Sequence, residues 1–118
     1  MMFQREPVQV PPQAERRPQG RRRALLGGVV VHSQGRFIFP CTIRNISAEG
    51  ARITFKLGEV MPADFFLIDT WASRGHRARI AWIGPCEAGV SFSEAFDMNA
   101  ITDPALGYLK RYWDQRGV

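Results

Sequence analysis

At 118 residues, 45% of them hydrophobic and 23% charged, the chain has the size and balance of one soluble globular domain with tails. No apolar run approaches the roughly 18 residues of a membrane span, and the start lacks the apolar stretch of a secretory signal, so the expected address is cytoplasmic, without membrane insertion. The net charge of +5 sits at one end: residues 1–23 hold six arginines against two glutamates (+4), and the other 95 hold ten basic against nine acidic residues (+1). A local cluster of cations suits a compact dianion, whereas a duplex nucleic acid favours cations spread over a face.

Residues 1–20 carry Pro7, Pro11, Pro12 and Pro18 among Gln, Arg and Glu, with little to bury; such a leader is expected to be disordered alone, with 1–14 as a tail. Strand-like runs follow. Ala24 to His32 is apolar and β-branched, and Ser33-Gln34-Gly35 reads as a hairpin turn. In the next run Phe37, Phe39, Cys41 and Ile43 share a face at period two, and Pro40 points to an edge or a bulge. Ser47 to Gly50 turns the chain into Ala51–Phe55, and Asp64–Ile68 is a short apolar run. His76 to Ile83 puts Ala78, Ile80 and Trp82 opposite Arg77 and Arg79, and Gly89–Phe92 is a last short strand. Six strands about ten residues apart predict an all-β fold, a small antiparallel barrel or sandwich. Residues 96–118 form an extension with a helix over about 104–114. It starts at Asp103-Pro104 and carries Ala105, Leu106, Leu109, Tyr112 and Trp113 as an apolar stripe. That helix is expected to cap an open barrel end; the alternative is a partner-binding helix.

Groups for catalysis are scattered. His32 and His76 have no acidic partner at a telling spacing, Ser47 lies in no nucleophile elbow, and there is no phosphate-binding glycine loop. Cys41 and Cys86 are too far apart for a redox or zinc half-site and read as reduced, structural thiols. No enzyme and no metal site is expected.

Two strings stand out. Arg17-Pro18-Gln19-Gly20-Arg21 places an arginine pair in the leader, and Asn45-Ile46-Ser47-Ala48-Glu49-Gly50 places an amide and a hydroxyl in a turn. A guanidinium fork fits guanine O6/N7 or a phosphate, and a short amide or hydroxyl can meet the rest of the base. Singly, each has a plainer reading. The first is a solvated basic tail, and the second is a polar hairpin turn with Gly50 at positive φ.

The order and strand context of the two strings resemble the PilZ domain family. These are six-stranded antiparallel β-barrels that bind the bacterial second messenger cyclic di-GMP. The resemblance covers about residues 15–95. It is carried by Glu15-Arg16-Arg17, Arg21-Arg22-Arg23, the run from Cys41 to Arg52, and Ala81-Trp82 followed by Gly89-Val90-Ser91-Phe92. It implies a six-stranded barrel with cyclic di-GMP as ligand and no cofactor. Arg17 and Arg21 would grip phosphates and a guanine Hoogsteen edge, and Asn45 would read the Watson–Crick edge. Ser47 would bond the ligand and Gly50 leave it room. Arg16 and Arg22 would add phosphate contacts, and Trp82 would form a wall beside the base, unless it is a core tryptophan. The implied output is a change of leader conformation that signals to a protein effector. The rival readings are a ligand-independent adaptor of the same type and a nucleic-acid binder using the leader.

Overall fold

The structure, a computed structural model, describes residues 22–116. The expected tail 1–14 and the leader positions Arg16, Arg17 and Arg21 lie outside the described residues. Among the described residues there are six strands: β1 Arg22–His32, β2 Phe37–Ile46, β3 Gly50–Thr54, β4 Asp64–Asp69, β5 Arg74–Ile83 and β6 Glu87–Asp97. They close into a barrel in the order β1-β2-β3-β6-β5-β4, every neighbouring pair antiparallel, so the expected all-β six-stranded barrel is what forms. The closing seam is short, from Gly28 opposite Asp69 to Val31 opposite Phe66.

Alternation explains the interior. Val30 from β1, Ile43 from β2, Ile53 from β3 and Leu67 from β4 are wholly buried, and Ala78 from β5 and Val90 from β6 complete the layer. Each large side chain removed from water contributes about 1.5–3 kcal/mol, which is how so small a barrel stays closed. Pro40 lies in the part of β2 that pairs with β1 but extends past the β2–β3 ladder, which begins at Thr42. No strand on that side waits for its missing N–H. Phe37 departs from the expected buried face: it is 56% exposed at the strand's start and stacks on His32 at 4.9 Å. The hairpin turn at Ser33–Gly35 runs through left-handed backbone at all three residues.

The carboxyl-terminal helix α1, Gly107–Gln115, is preceded by a single 3₁₀ turn, Pro104–Leu106. Asp103 starts that turn as expected, its carboxylate accepting from the Ala105 N–H at 2.9 Å. The helix does not close a barrel end. Its buried Leu109 and Trp113, with Met98 and Ile101, pack on Val29, Val31, Phe66 and Ile68, the outward residues of β1 and β4. Both faces of those two strands are apolar, so they need cover on the outside as well as within. Trp113 Nε1–H donates to Asn99 Oδ1 at 2.8 Å, which fixes the helix against the chain that leads into it.

Candidate functional site

Strict alternation along β2 would turn Asn45 inward behind Cys41 and Ile43. An irregularity intervenes. Ile43 pairs with Ile53 and Asn45 with Arg52, which leaves Arg44 as an extra residue against β3. On the other side Arg44 faces the two residues Ala24 and Leu25, between the pairs Arg23–Asn45 and Leu26–Ile43. This bulge lets Ile43 and Ile46, three residues apart, both point into the core, and it delivers Asn45 to the outer wall.

The same device operates on β5. Ile80 pairs with Val90 and Trp82 with Gly89, so Ala81 is the extra residue. Ile80 stays against the core while Trp82 swings outward and is 46% exposed. The expectation that Trp82 shares the face of Ala78 and Ile80 fails because a one-residue slip reverses every later side chain. Trp82 is therefore a surface indole, and the core-tryptophan alternative falls away.

With both bulges in place, the ladders align one outward row: Asn45 on β2, Arg52 on β3, Gly89 on β6 and Trp82 on β5. Gly89 makes the row flat at one end. A Cβ there would collide with the five-membered ring of Trp82, whose indole lies over the glycine backbone. Arg52 stands between, with its Nη1 donating to Glu87 Oε1 at 3.0 Å. No hydrogen bond among the described residues involves the Asn45 side chain.

The turn beside the row is self-contained. Ser47 N–H donates to Gly50 C=O at 2.9 Å, and Glu49 N–H donates to Ser47 Oγ at 3.2 Å. The hydroxyl itself is within 3.3 Å of Glu49 Oε1 and 3.5 Å of Gly50 O. Gly50 does not use positive φ, contrary to the plain-turn expectation. Its missing Cβ is needed because the Val90 carbonyl oxygen occupies that space, where β3 crosses close to β6. The room at Gly50 is filled by the barrel's own backbone.

By backbone register Arg22 lies opposite Ile46, next to Ser47, so the chain enters the barrel beside this turn. Arg21 immediately precedes that position in the sequence, and Arg17 and Arg16 lie four and five residues further back. Asn45, Ser47, Gly50 and Trp82 thus share one wall, at the point from which the leader departs. Sequence reading missed Arg52, Glu87 and Gly89. Arg52 was open to discovery, since Ala51 and Ile53 alternate inward and leave it outward. Gly89 was hidden, because its role depends on a bulge in the opposite strand.

Among the described residues, no group of three or more His, Cys, Asp or Glu side chains could share a metal ion, and no helix is long and apolar enough to cross a membrane. Both cysteines are free, and burial raises the Cys41 thiol pKa to about 12, which keeps it protonated and unreactive. The chemistry available on the wall is recognition: an amide, a guanidinium fork and a flat indole suit a purine base and its phosphate.

Among solved structures, the chain is similar to the crystal structure of the PilZ domain of CeSA from a cellulose synthesizing bacterium. The TM-score is 0.48 and the identity 14%, over 79% of this chain and 92% of that one. No family model matches the chain, and no curated protein matches it either.

Proposed function

We propose that this chain is a non-catalytic, PilZ-type receptor for cyclic di-GMP. The observation that carries the reading is the outward row itself. Two independent bulges spend ladder regularity to bring Asn45 and Trp82 to one surface, beside the turn of Ser47 and the exit of the arginine leader. Bulges that re-aim side chains concentrate at functional sites.

In this reading Arg17 and Arg21 grip phosphate and the Hoogsteen edge of a guanine, with Arg16 and Arg22 adding charge. Asn45 meets the Watson–Crick edge, Ser47 bonds the ligand, and Trp82 offers the stacking face. Bringing the leader onto the wall costs ordering entropy, so the affinity falls well short of what the contact count alone suggests. A micromolar constant is about −8 kcal/mol, within reach of several arginine contacts of about 1–3 kcal/mol each after that cost. The clamped leader gives the amino-terminal surface a new shape and charge, which a protein effector reads.

The test is a calorimetric titration of the full chain with cyclic di-GMP. Binding is expected in the micromolar range. Arg17→Ala or Arg21→Ala should abolish it without moving the thermal midpoint, and Ser47→Ala should weaken it by a smaller factor. Near-native affinity in the arginine variants would count against the assignment of the leader. The ligand-independent adaptor is the second reading, and two observations favour it. The Ser47 hydroxyl already serves its own turn, and the space at Gly50 is already taken by the Val90 carbonyl of the neighbouring strand. A wild-type chain that ignores the dinucleotide at millimolar concentration decides for the adaptor.

A further inference from the structure

We infer that Arg52 is a further phosphate-binding arginine of this site and that Glu87 is its built-in competitor, held in the ligand's place until the ligand displaces it. The inference rests on the cyclic di-GMP reading above and adds to it a regulating pair from the barrel itself.

Position comes first. Arg52 is the Cα partner of Asn45 on one side and of Gly89 on the other, so it occupies the middle of the outward row. Adjacent strands lie about 4.8 Å apart, which sets Asn45 and the indole over Gly89 roughly 10 Å from each other. A dinucleotide that reaches from the amide to the indole must pass over Arg52. The stretch it crosses there is backbone, and backbone phosphate is what a guanidinium in that place would meet.

Occupancy comes second. Of the five N–H donors on the Arg52 guanidinium, the one contact among described residues is the Nη1 bond to Glu87 Oε1 at 3.0 Å. The pair is single-pronged and partly solvated, with 35% of the arginine side chain and 45% of the glutamate exposed. Such a pair is weak and can be exchanged, because water compensates the carboxylate that leaves. Glu87 itself is anchored at the start of β6, opposite Thr54, so its carboxylate reaches the row from the side and can withdraw without disturbing the ladder. A carboxylate and a phosphate oxygen compete for the same fork, and the ligand carries two phosphates against one carboxylate.

The other exposed arginine pairs lack this setting. Arg77 with Glu94 and Arg79 with Asp64 lie on the β4–β5–β6 side, off the row that holds Asn45 and Trp82. They serve as controls for the general effect of removing one negative charge.

Cyclic di-GMP is titrated calorimetrically into the full-length wild type, Glu87→Gln, Arg52→Ala, the Arg52→Ala/Glu87→Gln double variant and Glu94→Gln, with thermal unfolding to confirm each fold. Glu87→Gln should bind about threefold to tenfold more tightly than wild type, and Arg52→Ala about tenfold more weakly, on the scale of one charge-assisted contact. The double variant should match Arg52→Ala, and Glu94→Gln should match wild type. Equal tightening by Glu94→Gln, tightening by Glu87→Gln that persists without Arg52, or no change in either single variant overturns the inference while the receptor reading stands. A wild type that binds no cyclic di-GMP overturns both.

Discussion

The barrel has two outer walls of opposite character. On β1 and β4 the outward residues are Val29, Val31, Phe66 and Ile68, and a helix lies over them. On the row from β2 to β5 they are Asn45, Arg52, Gly89 and Trp82, and no described element lies over them. A wall of branched aliphatic residues must be covered by the chain itself. A wall mixing an amide, a guanidinium and a half-exposed indole gains little from self-cover and keeps its donors available. One wall serves the fold, and the other is free to serve a ligand.

The largest expected effect separates the two. Leu109→Ala removes a wholly buried side chain from under the helix and should cost about 2–5 kcal/mol of stability. Below its unfolding transition it should bind cyclic di-GMP as wild type does, since Leu109 touches nothing on the ligand wall. Urea denaturation and calorimetry on the same preparation check both halves. A stable variant with lost binding would mean the walls are coupled and the division is wrong.

A smaller effect is expected on the open wall. Trp82→Ala removes the stacking face, and Gly89→Ala keeps the indole but forces it off the glycine backbone. Both should weaken cyclic di-GMP by about tenfold, the size of one base–aromatic stack. Both should leave the unfolding midpoint little changed, because the indole is already half exposed. Unaltered affinity in the pair would remove Trp82 from the site.

The fold was more legible in the sequence than the site because its signals are local. Period-two alternation in Phe39-Pro40-Cys41-Thr42-Ile43 and in Ala51-Arg52-Ile53 marks strands without knowledge of their partners. The strand ends were less clear. β6 continues to Asp97, well past Phe92, by pairing with Arg74–Arg77, and the register shift between Arg77 and Ala78 hides this by placing Ser93 out of step with the alternation. The site depends on bulges, and a bulge is a relation between two strands. Nothing in Ile43-Arg44-Asn45-Ile46 alone says that Arg44 is unpaired. The motif of Asn45, Ser47 and Gly50 was visible as a string, whereas its outward aim, the true use of Gly50 and the company of Arg52 needed the closed barrel. The helix stripe was equally plain, but its resting place on β1 and β4 follows only once those strands become neighbours.

The smallest effect concerns the interior, and it has a pH signature. His76 pairs with the wholly buried Leu67, so its ring points into the barrel, where it stacks on Phe92 at 4.1 Å. Its Nδ1 is buried with no hydrogen-bond partner among the described residues. Burial first, and the nearby Arg74 second, hold its pKa below 6.5, with Asp69 pulling the other way. Well above pH 6.5 neither the folded nor the unfolded chain carries the proton, and stability is at its full value. As the pH falls, the unfolded chain takes up a proton that the folded chain refuses, and stability declines until the lowered folded-state pKa is reached. His76→Phe keeps a flat ring against Phe92 and removes the proton site. The wild type's stability relative to that variant, from urea denaturation at several pH values, should be flat well above 6.5 and fall progressively as the pH drops through it. A difference that stays flat through the acid range would place the imidazole in contact with water. It would then belong to the solvated side of the barrel and not to its core.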